Sequence, residues 1–162
     1  LDYPPPDFEA KVCAPADLAE RVAALPRSLV FTNGCFDILH RGHVTYLAQA
    51  TALGASMVVA LNSDASVKRL GKGDDRPVNT LSDRLAVLAA LESVALVTWF
   101  DGDTPIEAIR ACHPDVLVKG GDWPVERIVG AAEVLADGGQ VFSIPFRYER
   151  STSALLEKIR RL

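Results

Sequence analysis

Histidine, cysteine and methionine are scarce in this chain: three, three and one in 162 residues. Cys13, Cys35 and Cys112 are odd in number and spaced like no zinc site. Neither a disulfide framework nor a protein metal cage is expected, and a reducing, cytoplasmic compartment is. Basic charge is not in excess either. The formal net charge is −4 and the pI about 5.3. That balance speaks against a nucleic-acid partner, while leaving room for a local basic pocket. No stretch approaches the roughly 18 continuous apolar residues a membrane span needs, so no membrane partner is expected. The N-terminal LDYPPPDFEAKVC lacks the charged-then-apolar order of a signal peptide. Internal repeats and low-complexity segments are missing as well.

What is present is apolar residue in quantity, 49% of the chain, enough for a sizeable single core. Leu1 to Pro15 reads as an extended arm, because Pro4, Pro5 and Pro6 cannot sit inside a helix. Ala16 to Leu25 has helical spacing. From there strand-like and helix-like runs alternate. Strands are expected at Ser28–Thr32, Ser56–Leu61, Val94–Trp99 and Asp115–Gly121, with a fifth in GGQVFSIP. Helices are expected at Arg41–Leu53, Asp64–Leu70, Leu81–Leu91, Thr104–Ala111, Val129–Ala136 and Thr152–Leu162. The segment GKGDDRPVN, Gly71 to Asn79, is a polar loop rich in turn residues. The strands are near-continuous apolar runs, as strands buried on both faces are. The fold class is therefore α/β: a Rossmann-like open sheet of about five parallel strands with helices on both faces. Residues 1–27 form an N-terminal arm and helix, and 28–162 form the main domain.

Two of the three histidines sit in VFTNGCFDILHRGHVTYL, where the first main-domain strand gives way to a helix. Ligands of open parallel sheets bind beyond the C-terminal strand ends. Gly34 lets a ligand approach the backbone there, and the following helix start offers free N–H groups and partial positive charge. Imidazoles at that start, His40 and His43, can donate to phosphate oxygens. Gly42 between them would leave room for a phosphate. Asp37 reads equally well as a turn residue bonding its own backbone or as a ligand-side carboxylate.

GCFDILHRGHVTYL resembles the His-x-Gly-His nucleotidyltransferase superfamily, in its cytidylyltransferase-like branch. The segments VVALNSDASVKRL, RPVNTLSDRLAVLAAL and DVLVKGGDW are similar to the adenylyltransferases that form ADP-heptose from heptose 1-phosphate and ATP, for lipopolysaccharide inner-core synthesis. The likeness runs from about Ser28 to the end of the chain. Such enzymes are often fused to a sugar kinase, and the length here fits the stand-alone form. RSTSALLEKI is similar to the second nucleotide signature of the family, a hydroxyl cluster opening the last helix.

The resemblance implies roles for particular residues. His40, His43, Lys68 and Arg84 would be catalytic: the histidines on the triphosphate, Lys68 on the sugar phosphate or triphosphate, Arg84 on the β- and γ-phosphates. Asn33, Gly34, Cys35, Phe36, Gly42, Lys119, Gly120, Ser151, Thr152 and Ser153 would bind the nucleotide. Asp37, Asn62, Gly121 and Asp122 would bind the sugar phosphate. At Cys35 the backbone is expected to matter more than the sulfur. Mg²⁺ would arrive with ATP, since it prefers phosphates and waters to a protein cage. Glu149 stands where relatives often have glycine, which leaves Arg147 and Arg150 without an assigned contact, and Trp123 has none either. A cytidylyltransferase acting on a small alcohol phosphate such as glycerol 3-phosphate, or a non-catalytic nucleotide sensor, are the alternative readings. A homodimer is left open by the exposed strand edge and apolar helices.

Overall fold

In the computed structural model, which describes residues 3–162, five parallel strands form one sheet in the order β3-β2-β1-β4-β5. They are β1 (Leu29–Gly34), β2 (Ser56–Asn62), β3 (Leu96–Phe100), β4 (Val116–Gly120) and β5 (Gln140–Ile144). The helices are α1 (Leu18–Ala23), α2 (Arg41–Thr51), α3 (Asp64–Arg69), α4 (Leu81–Ala89), α5 (Ile106–Cys112), α6 (Ala131–Ala136) and α7 (Thr152–Arg160). The α/β sheet expected from the apolar runs is the one observed, with element boundaries moved by no more than two residues.

Alternate residues of one strand feed opposite cores, as strand geometry requires. Leu29 and Phe31 of β1, with Val58 and Ala60 of β2, pack beneath α1, α5 and α6. Val30, with Met57, Val59 and Leu61, packs beneath α2 and α4. Both faces of the central strands are therefore dry, which explains their continuous hydrophobicity in sequence.

The N-terminal arm differs from the expected extended segment. Pro6, Val12 and Ala14 are extended, but between them Pro6 caps a short 3₁₀ turn over Asp7–Lys11. Val12 then bridges β3 at Val97, and the Cys13 amide donates to the Val97 carbonyl at 2.8 Å. The prolines stay out of the turn, as their missing N–H demands, and the arm beyond them covers an otherwise open sheet edge. Leu1 and Asp2 lie outside the described residues.

The strand order reverses between β1 and β4. The chain winds outward from β1 through β2 to β3, then crosses back to place β4 on the other side of β1. Diverging connections leave a crevice at the C-terminal ends of those two strands. Asn33 and Gly34 end one of them, and Lys119 and Gly120 end the other.

Candidate active site

His40 is the N-cap of α2, with extended backbone, and its Nδ1 accepts from the His43 amide at 3.4 Å. An accepting Nδ1 puts the proton of neutral His40 on Nε2. The two imidazoles stack, centroids 3.8 Å apart and planes inclined by 19°, while Phe36 meets His43 edge-on at 5.2 Å. Burial lowers the pKa of His43 to about 4, with His40 adding to the effect and the Ile38 carbonyl opposing it. Burial lowers His40 too, helped by the Arg150 charge. The pair is neutral at neutral pH, with each ring able to donate one N–H.

Gly42 does a different job from the one expected. A Cβ there would meet the His40 ring at 2.9 Å and the Tyr148 carbonyl at 3.2 Å. The bare α-carbon lets His40 lie across the helix start, and protein fills the space proposed for phosphate.

The histidines line a cleft with two lobes. The first, of 220 Å³, is bounded by Asp37, His40, Lys72, Arg76, Arg150 and the Ser151–Ser153 segment, among others. The second, of 150 Å³, is bounded by Asn33, Gly34, Tyr46, Lys119 and Gly120. Cys35, Phe36, His43 and Phe146 line both. A larger, shallow depression of 620 Å³ lies at the opposite, N-terminal ends of β1 and β4, around Ser28 and Asp115. Size alone would favour it, but strand polarity and the imidazole stack favour the crevice.

Gly120 sits where a Cβ would strike the Phe146 ring at 2.9 Å and Tyr46 at 3.3 Å, so its absence lets both rings close the second lobe. Tyr46 is fixed by a hydrogen bond with the Thr32 hydroxyl, and burial pushes its pKa up to about 12. Lys119 has its pKa lowered by burial; Cys35 opposes this and the nearby Lys72 charge adds to it. An anion between the two lysines would reverse the repulsion.

At the other wall, α7 begins at the cleft. Ser151 caps it, accepting from the Ala154 amide at 3.0 Å. The Thr152 hydroxyl donates to the Ile38 carbonyl at 3.2 Å, tying α7 to the turn before α2. Ser153 Oγ stands 3.5 Å from Arg76 Nη1.

Of the expected site residues, the structure brings together Asn33, Gly34, Cys35, Phe36, His40, His43, Lys119, Gly120, Ser151, Thr152 and Ser153. Asp37 borders the first lobe with them, and five others, Lys68, Arg84, Asn62, Gly121 and Asp122, line neither lobe. Lys68 is exposed on α3 and borders neither lobe. Arg84 is 1% exposed and does not face the cleft. Its Nη1 donates to the carbonyls of Cys35 and Asn62, both at 2.8 Å, its Nε to the Asn79 carbonyl, and its Nη2 to Asp64 at 2.8 Å. Asn62 is buried and donates to Ser66 at 3.0 Å, locking the β2–α3 turn. Asp37 borders the cleft, but its carboxylate is taken by Arg76 at 2.7 Å and by the amides of Val78 and Asn79. Burial would raise its pKa, and those amides and the Arg76 charge outweigh this and hold it below the usual carboxylate range. Gly121 follows β4 at φ +111°, its amide on the Ile144 carbonyl, and Asp122 is exposed beyond it.

Sequence reasoning missed Lys72, Arg76, Tyr46 and Phe146 as cleft residues. Lys72 and Arg76 stand in the aperiodic loop GKGDDRPVN, and only their charge set them apart. Arg150 borders the first lobe, while Arg147 points its guanidinium toward Tyr148, 5.8 Å from the ring centroid. Trp123 is half-exposed outside both lobes.

The cytidylyltransferase-like family model matches residues 31–155, from within β1 into α7. The chain belongs to the cytidylyltransferase-like family. Within reach of it lies a D-beta-D-heptose 1-phosphate adenylyltransferase of Bordetella bronchiseptica, 58% identical over 156 residues, covering 95% of this chain and 96% of that protein. A Marinomonas bifunctional protein HldE is 53% identical over 150 residues, and the match spans 31% of its length. Among solved structures, a lipopolysaccharide core biosynthesis protein of Thermoplasma volcanium superposes with TM-score 0.60 at 25% identity, covering 75% of this chain and 98% of that one. A Francisella tularensis pantoate-beta-alanine ligase shares the family fold, with TM-score 0.58 at 12% identity, over 88% of this chain and 68% of its own.

Proposed function

We propose that the chain transfers AMP from ATP to D-glycero-D-manno-heptose 1-phosphate, forming ADP-heptose and pyrophosphate. The observation that carries the chemistry is the stacked His40–His43 pair at the start of α2, lining a cleft with Lys72 and Lys119 on either side. The acceptor is supported by the near-full-length likeness to a heptose 1-phosphate adenylyltransferase.

The reaction is an in-line displacement. A phosphate oxygen of the sugar phosphate attacks the α-phosphorus, a new P–O bond forms, and the bond to the bridging oxygen breaks. Pyrophosphate leaves with that electron pair. The nucleophile is already ionised, so no general base is required. What the protein supplies is position and charge. His40, through Nε2–H, and His43 would donate to the oxygens whose charge grows at the five-coordinate phosphorus. Lys119 and Lys72 would offset the charge of the phosphate chain. The second lobe, walled by Tyr46 and Phe146, suits the nucleoside, and the first, with its hydroxyls and cations, suits the triphosphate.

Mg²⁺ fits this scheme as part of the nucleotide. Among the described residues no cluster of three His, Cys, Asp or Glu side chains could cage it, and the carboxylate of Asp37 is already engaged. Its ligands would be triphosphate oxygens and water, and it would neutralise their charge. No helix among the described residues is long and apolar enough to cross a membrane. A cytoplasmic setting is proposed from the three free thiols, and a homodimer from the exposed β5 edge at Phe142; light scattering would read its mass.

The test is pyrophosphate release from ATP or CTP, with heptose 1-phosphate or glycerol 3-phosphate as acceptor. Turnover is expected with ATP and heptose 1-phosphate. Equal or better turnover with CTP would move the chain to the cytidylyl branch, and nucleotide binding without pyrophosphate release would make it a sensor.

A further inference from the structure

Arg76 is 5% exposed and stands in the wall of the first lobe. Its Nε donates to Asp37 at 2.7 Å. Its Nη1 has only a long contact, 3.5 Å, to Ser153, and its Nη2 donates to nothing among the described residues. A guanidinium carries five N–H donors in a fixed fork. Here one edge is engaged and the other, beside Ser153, is left for something in the cleft.

The loop does not need this arginine to stay in place. Asp37 already accepts from the amides of Val78 and Asn79 at 2.9 Å each, and the Asn79 side chain donates to the Asp37 carbonyl. A buried ion pair added to that network contributes little net stability, because the cost of desolvating both charges offsets their attraction. Arg84 shows what a purely structural arginine looks like in this fold, with all three guanidinium nitrogens bonded to protein.

We propose that Arg76 is the anchor for the leaving pyrophosphate: its Nη edge grips the β- and γ-phosphates, and Asp37 is a positioning residue that aims it. The ligand class follows from the lobe. Lys72, Arg76 and Arg150 gather there with the hydroxyls of Ser151 and Ser153, whereas the second lobe holds one cation, Lys119, between aromatic walls. The pyrophosphate end is the most highly charged part of either substrate, and a planar fork matches paired phosphate oxygens as a point charge does not. This rests on the nucleotidyltransferase reading of the cleft and adds which residue holds the leaving group.

The experiment is calorimetric titration of the full chain with Mg²⁺-pyrophosphate and, separately, with heptose 1-phosphate, for wild type, Arg76→Lys and an Arg110→Ala charge control. Lysine can still pair with Asp37 and support the fold, but it cannot also present a free edge. Pyrophosphate affinity is expected to fall roughly 10- to 100-fold in Arg76→Lys, with heptose 1-phosphate unaffected. Unchanged pyrophosphate affinity overturns the proposal, as does a loss confined to the sugar phosphate, which would put Arg76 on the acceptor. If Arg76→Lys does not fold, the Asp37→Asn/Arg76→Met pair leaves no buried charge unpaired and is read the same way. Asp37→Asn alone, with Arg76 intact, should raise KM for ATP more than it lowers kcat. Turnover is not needed for the titrations: wild type that binds pyrophosphate without forming ADP-heptose would overturn the proposed reaction and leave the Arg76 assignment to its own result.

Discussion

Arg76 and Arg84 flank Thr80, the cap of α4, and both are nearly inaccessible, at 5% and 1%. Their surroundings differ in kind. Arg84 lies under the cleft floor and cross-links the ends of β1 and β2, the 71–79 loop and α3 through three backbone carbonyls and Asp64. Arg76 lies in the cleft wall, held on one edge and open on the other. Burial alone therefore says little about an arginine's role. The count of satisfied donors separates one that holds strand ends together from one available to a ligand.

The largest effect that would break this comparison is at Arg84. Arg84→Met strips buried carbonyls of their donor, and a loss of about 3–5 kcal/mol is expected, read as a fall of roughly 10 °C in melting temperature. A variant that melts like wild type but no longer binds ATP would put Arg84 in the ligand's path, and the contrast would collapse.

The histidine stack gives the next effect, through pH. His43 has a folded pKa of about 4 against an ordinary 6.5. Between those values the unfolded chain binds a proton that the folded chain does not. Its contribution is fully present above pH 6.5 and is lost as pH falls toward 4, at up to roughly 1.4 kcal/mol per pH unit. Asp37, whose pKa is lowered, loses its contribution only at still lower pH, so the window from 6.5 to 5 isolates the two stacked imidazoles, His40 acting in the same direction as His43. Denaturation midpoints across that window should slope less in His43→Gln than in wild type, and equal slopes would mean the ring is not desolvated.

A smaller effect sharpens the assignment of charge around the first lobe. Lys72→Ala should weaken pyrophosphate binding about 5- to 10-fold, and Lys68→Ala should leave it within about twofold. The reverse order would restore the expectation drawn from SVKRL. Smallest of all is Arg160→Ala. It removes an exposed pair with Asp75 and should shift stability by no more than about 0.5 kcal/mol. A larger shift would show that α7 depends on that contact for its seat.

The elements that could be read from sequence are those whose signal is local. β1, β2 and β4 are contiguous apolar runs because both sheet faces are covered, and α2 begins where a strand-ending glycine meets a histidine cap. That junction fixes the place of the cleft. The cross-link made by Arg84 could not be read locally, because its four partners come from Cys35, Asn62, Asp64 and Asn79, which meet only after the sheet is assembled. A cation in the first turn of α4 opposes the helix dipole, and the Asp64 carboxylate beside Arg84 offsets this. Asp37 was left between two readings, and its carboxylate binds Arg76 and the amides of Val78 and Asn79 in a distant loop, at the border of the first lobe. Lys72 and Arg76 carry no periodic signal, since a loop places its side chains by tertiary bonds. The arm from Asp7 to Lys11 curls into a turn because Phe8 and Val12 find the core, a contact that three prolines conceal.

The central claim is that the stacked imidazoles serve adenylyl transfer in this cleft. The most direct measurement follows ADP-heptose and pyrophosphate formed from ATP and heptose 1-phosphate by wild type and by His43→Ala, each shown to be folded at the assay pH. Wild type should form both products in equal amounts. His43→Ala should lose roughly 10²- to 10³-fold in kcat, as removal of one transition-state donor does, with a much smaller change in ATP affinity. Near-normal turnover in the folded variant would contradict the account.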